Sequence, residues 1–125
     1  MKLKDVASSL RLEIIEMSNR AKAPHLASSL SCIDIVITLY EKVLNIFPKQ
    51  PNKLSRDKFI LSKGHAATAL YATLAYKGFF SKKKLLNYTK KNSLLEEHPN
   101  PSIKGVETAT GSLGHGLPVG CGLAL

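Results

Sequence analysis

Leu3, Val6, Leu10, Ile14 and Met17 recur at steps of three and four, a spacing that predicts an amphipathic helix fading near Asn19 or Arg20. Lys4, Arg11 and Glu13 fall largely off that stripe. Pro24 disfavours helical geometry at Ala23, so His25 is expected in a linker between two helices. Ser31 and Asp34 have the spacing of a capping box, ahead of a second helix from about Cys32 to Asn45 that buries Ile33, Ile37, Tyr40 and Leu44. Pro48 and Pro51 mark a surface loop. The short apolar run Lys58 to Ser62 is the best strand candidate.

Directly after that run come Lys63-Gly64-His65 and an alanine-rich stretch, Ala66 to Tyr76, that predicts a helix closed by Gly78. Ser81 can cap a further helix to about Lys90, with Leu85, Leu86 and Tyr88 facing inward. Pro99 and Pro101 hold the next segment open, and the glycine-rich run after Thr110 leads into a small-residue apolar helix. Strand, glycine-histidine turn and helix together suggest an α/β protein whose ligands sit at the carboxyl ends of strands. A doubly wound sheet needs several such units, and one strand is visible. Residues 1–125 are therefore expected to be the front, helix-rich part of a larger domain.

Composition narrows this little. The 125 residues and 44% apolar content suit one domain with a core. No stretch approaches the ~20 apolar residues of a membrane span. The first segment carries acids within its stripe and does not read as a secretory signal. Cys32 and Cys121 both read as small core residues in a reducing cytoplasm. The net charge of +9 admits nucleic acid, a phosphorylated ligand or a solvated lysine-rich surface, with dense runs at Lys82-Lys83-Lys84 and Lys90-Lys91.

All four histidines, His25, His65, His98 and His115, fall in loops or at a turn, where functional residues concentrate. Their spacings do not form a zinc signature, GxSxG is absent, and Val119 stands where GxGxxG would need its last glycine. What remains is a set of imidazoles able to give or take protons, beside a glycine loop whose helix N-terminus suits an anion.

Three blocks carry a resemblance over nearly the whole chain: Pro24-His25-Leu26-Ala27-Ser28-Ser29-Leu30-Ser31, Leu61-Ser62-Lys63-Gly64-His65-Ala66, and His98-Pro99 through Gly105-Val106-Glu107 to Thr110-Gly111-Ser112-Leu113-Gly114 and Gly116. In order and spacing the chain resembles the N-terminal section of transketolase, above all the short, split form, and so implies the N-terminal part of a doubly wound thiamine-diphosphate-binding domain. The resemblance implies that His65 contacts the cofactor diphosphate, that Gly111, Ser112, Leu113 and Gly114 line the cofactor rings, and that His25 and His98 are catalytic, facing the ketose donor. His115 stays a loop residue.

The implied reaction moves a two-carbon ketol unit from a ketose to an aldose, with sugar phosphates or related sugars as substrates. A magnesium ion is implied too, but the Gly-Asp-Gly block that holds it is not in this sequence, so its ligands are expected elsewhere. Activity is expected only with a C-terminal transketolase half or partner chain, in a homodimer or heterotetramer, in the cytoplasm, with neither nucleic acid nor membrane as partner. Leu26-Ala27 departs from the family's usual proline-glycine pair and keeps a deoxyxylulose-phosphate-synthase-like enzyme open. A basic nucleic-acid-binding module, with Phe79, Phe80 and Tyr88 stacking on bases, is the alternative from outside enzymology.

Overall fold

Helix α1 spans Leu3–Ala21 and buries Val6, Leu10, Ile14 and Met17, the face that its spacing predicts. The computed structural model to which it belongs describes residues 2–125. Glu13 lies within the buried face and pairs with the ammonium of Lys82 at 2.7 Å, which offsets the cost of desolvating its carboxylate. The helix ends at Lys22, whose φ of 52° is left-handed. The N–H groups of Lys22 and Ala23 turn back to the carbonyls of Asn19 and Ser18, the paired bonds of a Schellman motif.

Two short helices follow, α2 (Leu26–Leu30) and α3 (Ile33–Thr38), and α3 runs on into a π-helical turn, Leu39–Val43. A 3-10 turn at Gly64–Ala66 opens α4 (Ala67–Tyr76), a second 3-10 segment covers Lys82–Asn87, and α5 is Gly116–Ala124. The molecule is organised around α4, in which every residue from Ala67 to Ala75 is buried. Its alanines set little bulk between backbones, so neighbouring helices can pack close. On one side Ala69 and Ala72 meet Leu10 and Ile14 of α1 and Ile33 and Ile37 of α3. On the other, Leu70, Tyr71 and Leu74 gather Leu61, Phe79, Leu85, Leu95, Ile103 and Val106, so the long loops close over a core of their own. Each fully buried aliphatic or aromatic side chain contributes about 1.5–3 kcal/mol. Gly78, at φ 85°, ends α4 as its spacing predicts.

Several expectations do not hold. Lys58 to Ser62 forms no strand, and there is no strand anywhere among the described residues. An apolar run becomes a strand only when another backbone takes up its hydrogen bonds, and here none does. Instead Phe59 and Leu61 pack on the core as side chains of an irregular segment. The second helix starts at Ile33 and ends in the π-turn, which the bond from Leu44 N–H to Leu39 O closes at 2.8 Å.

No capping box forms at Ser31. Asp34 pairs with Arg11 of α1, and Ser31 accepts a bond from Lys63. Ser81 does cap its helix, accepting from the Lys83 N–H, but that helix is a 3-10 segment ending at Asn87, and Leu86 is exposed. Cys32 is half-buried as expected, whereas Cys121 is exposed on α5.

Candidate functional site

Four loops meet at one end of α4, and glycine at two positions makes the meeting possible. Gly64 lies flat against the strap that follows Glu107. A Cβ there would stand 2.5 Å from the carbonyl carbon and oxygen of Thr110 and 2.7 Å from the nitrogen of Gly111. Gly111 in turn takes the imidazole of His98 against its bare main chain, where a Cβ would be 3.1 Å from His98 Cδ2. On the other flank the rings of His65 and His25 stand 5.2 Å apart, tilted by 60°. The structure thus brings together His25, His65, His98 and Gly111, four of the residues that the sequence singles out.

Each histidine is held by the scaffold below it. His25 adopts φ 71°, a left-handed conformation that a residue with a Cβ takes only at a cost and that marks strained, over-determined sites. Helix α2 starts directly after it, fixed by Thr68 of α4 donating to Ser29 at 2.7 Å and by Lys63 donating to the Ser28 carbonyl at 2.7 Å. His65 sits in the 3-10 turn that opens α4. The main chain of His98 is anchored by the buried Tyr71, whose hydroxyl lies 2.8 Å from the His98 carbonyl and 2.9 Å from that of Glu96. Burial, first, and the electrostatic influence of the neighbouring Tyr88 and of Glu96 push the Tyr71 hydroxyl far above its ordinary range, so it is a permanent donor.

The strap carrying Gly111 is tied from behind. Thr110 donates to the Leu61 carbonyl at 2.7 Å, and the Gly116 N–H donates to Ser62 Oγ at 3.1 Å. Arg56 pairs with Glu107, both side chains about nine-tenths buried, so the strap starts from a fixed ion pair. That pair, Ser62 and Lys63 are positioning residues that sequence reasoning passed over. Ser62, Lys63 and Glu107 lie within the blocks that carry the resemblance, but nothing there gave them a part in holding the strap.

The electrostatics favour a neutral imidazole at His65. Partial burial lowers its pKa from the ordinary 6.5, and the positive potential of His25, Lys63 and His98 lowers it further. A neutral imidazole can donate through one nitrogen and accept through the other. A nearby anion would reverse the shift. Ser112, Leu113 and Gly114 continue as an exposed turn beside Gly111, with Leu113 73% exposed, and His115 precedes α5 without capping it. The expected anion site at the start of α5 is curtailed: Ser62 takes the Gly116 N–H, and Pro118 has none to give.

Comparison with known proteins gives the following. The family model described as transketolase, thiamine diphosphate binding domain, matches residues 3–125. One of the subunits of the apulose-4-phosphate transketolase of Phocaeicola vulgatus is 40% identical over 115 residues, which is 92% of this chain and 41% of that protein. Human transketolase is 40% identical over 122 residues, 98% of this chain and 20% of that protein. Among solved structures, transketolase from Leishmania mexicana superposes with a TM-score of 0.93 at 26% identity, covering 99% of this chain and 19% of the other. A Pichia stipitis transketolase in complex with sedoheptulose-7-phosphate gives 0.85 at 28% identity, covering 98% of this chain and 18% of the other. The chain therefore spans less than half the length of these relatives.

Proposed function

Because this chain belongs to the transketolase family, within its thiamine-diphosphate-binding domain, we propose that it is the N-terminal part of an enzyme moving a two-carbon ketol unit from a ketose to an aldose. The observation that carries the reading is a cluster in which His98 lies on the bare main chain of Gly111, Gly64 packs under the same strap, and His65 beside it stands against His25. That arrangement fits the cofactor. The missing Cβ at Gly111 is what lets the His98 imidazole lie on the strap, the Ser112-Leu113-Gly114 turn beside it is open to a ring, and His65 offers a donor near the positive Lys63.

We assign the diphosphate to His65 and the cofactor rings to Gly111, Ser112, Leu113 and Gly114. When bound, the cofactor supplies a nucleophilic carbon and an electron sink for breaking the bond beside a ketose carbonyl. The protein's part is to orient and to manage protons. His25 stands against His65 and His98 against Gly111, where each can bind a sugar hydroxyl and hold or release its proton. Their main chains are anchored, at His25 by the bonds that hold Ser28 and Ser29 and at His98 by the Tyr71 hydroxyl, which limits the positions each imidazole can take.

Sugar phosphates are the substrate class that the relatives' names suggest, and the subunit designation of the Phocaeicola protein supports a C-terminal partner chain. Among the described residues no three His, Cys, Asp or Glu side chains come together to hold a metal, so we place the ligands of a magnesium ion in the rest of the enzyme. Among the described residues no helix is long and apolar enough to cross a membrane. We place the reaction in the cytoplasm, where charged sugar phosphates are retained.

The test divides labour between two histidines of the assembled enzyme. His65→Ala loses a hydrogen bond to an anion, about 1.5–3 kcal/mol, and so roughly ten- to a hundredfold in cofactor affinity. His98→Ala keeps cofactor affinity and loses turnover by about 10²–10⁴. Cofactor titration followed by rates at saturating cofactor separates the two. Equal, small effects from both substitutions would return these residues to ordinary surface histidines.

A further inference from the structure

A second concavity, of about 720 Å³, lies outside the histidine cluster and is walled by three segments, Phe79 to Asn87, Lys90 to Leu95 and Ser102 to Lys104. Four lysines line it, Lys84, Lys90, Lys91 and Lys104, and no carboxylate does. None of the four takes part in an ion pair among the described residues, although Lys77 and Lys82 nearby in sequence are both paired. Four cations of one sign around one hollow repel each other, and an anion inside it relieves that repulsion.

The walls are set in advance. Ser81 caps the segment bearing Lys84, Ser93 Oγ accepts the Leu95 N–H at 3.1 Å, and Asn100 Oδ1 accepts the Ser102 N–H at 2.9 Å. Thr89 and Asn92, neither of them glycine, take left-handed φ of 59° and 64° on either side of Lys90-Lys91. A bond of 2.8 Å from the Thr89 N–H to the Leu95 carbonyl holds the bend. Strained bends persist where the surrounding structure over-determines them, and here they fix the backbone of two lysines.

We infer that this concavity binds a small polyphosphorylated molecule, one bearing two or more phosphate groups. Its volume falls within the ~300–1,000 Å³ of small-molecule sites. Lysines on three separate segments can each meet a different phosphate oxygen as point charges. A single-stranded nucleic acid fits less well, because Phe79 and Tyr88 are only 5% exposed and Phe80 is partly buried against the core, which leaves successive bases no row of open rings to stack on. The site stands apart from the histidine cluster and does not depend on what that cluster binds.

The experiment is calorimetric titration of inorganic triphosphate into the assembled enzyme, with thiamine diphosphate already saturating so that its site takes up no probe. Saturable binding is expected, weakening with added salt. Lys84→Ala/Lys104→Ala should lower affinity at least tenfold, about what losing one charge-assisted bond does. Lys83→Ala, a charge loss outside the concavity, should leave affinity unchanged. All three lysines are exposed, so the variants should fold alike. Absence of saturable binding, or equal weakening by Lys83→Ala and by the double variant, overturns the inference. So does tighter binding of an RNA oligonucleotide than of triphosphate through Lys84 and Lys104, which would make the hollow a nucleic-acid surface.

Discussion

The histidine cluster and the lysine-lined hollow are both built from loops closed over α4, yet they are specified in opposite ways. The cluster depends on atoms in contact: Gly64 on Thr110, Gly111 on His98, and Tyr71 under two carbonyls. The hollow depends on charge of one sign at its rim, carried on flexible stems, with packing confined to its floor of Phe79, Leu95 and Ile103. Contact is unforgiving of a single methyl group, whereas charge on long side chains tolerates displacement. Substitutions of similar size should therefore have very different consequences in the two places.

The largest contrast is expected from one added methyl group. In Gly64→Ala the new carbon would sit within 2.5 Å of the Thr110 carbonyl, and backbone cannot yield as a side chain can. We expect at least the ~1–3 kcal/mol typical of overpacking, together with loss of most cofactor affinity as the strap is driven off His65 and His98. Lys84→Ala, at the rim of the hollow, should change stability by less than ~0.5 kcal/mol. Thermal unfolding of both variants of the assembled enzyme checks the pair. A Gly64→Ala protein with full stability and cofactor affinity would mean that the two loops are not in register as described.

The next effect is smaller and tests the support beneath His98. Tyr71→Phe keeps the buried ring but removes the single hydroxyl proton that the carbonyls of Glu96 and His98 share. The cost should be about 1–3 kcal/mol in stability. Turnover should fall with it while cofactor affinity holds, since His65 is anchored elsewhere. Calorimetric unfolding and cofactor titration measure the two parts. A loss confined to cofactor affinity would show that Tyr71 supports the other flank.

The same contrast explains what was legible beforehand. The α1 stripe could be read because one face is buried over the whole helix, so periodicity reports burial directly. The α4 stretch could be read from its alanines and its closing glycine. Lys58 to Ser62 misled because an apolar run states that something will be buried but not whether another strand will pair with it. The small-residue run of α5 was legible as a helix, and its Leu117 and Leu123 are exposed where the equally apolar α4 is buried. The candidate histidines could be selected from loop placement and from the family resemblance. The contact of Gly64 with Thr110, the left-handed His25 and the Arg56–Glu107 pair are tertiary facts with no local signature. The lysine runs were visible, but nothing in them chose between a ligand, a nucleic acid and a solvated face, because sequence does not show a wall curving back on itself.

The smallest expected effect is a slope with pH, and it separates the two sites by sign and by residue. In the free protein burial and neighbouring positive charge hold the His65 pKa below its ordinary 6.5. The unfolded chain then binds a proton near 6.5 that the folded protein takes up only at lower pH. Between those two values stability rises with pH, and it falls as acid is added. A diphosphate beside His65 favours the imidazolium and raises its pKa in the complex. Cofactor binding should therefore take up a proton, and affinity should increase as the pH is lowered through the range just below 6.5. One proton limits the slope to at most about tenfold per pH unit. Triphosphate in the lysine hollow should show no histidine-dependent slope, because no imidazole lines it. Calorimetry in buffers of different ionisation enthalpy counts the protons directly. His65→Asn should remove the uptake on cofactor binding and leave triphosphate binding as it was. Uptake that persists in His65→Asn would assign the proton to His25 or His98 and move the diphosphate away from His65.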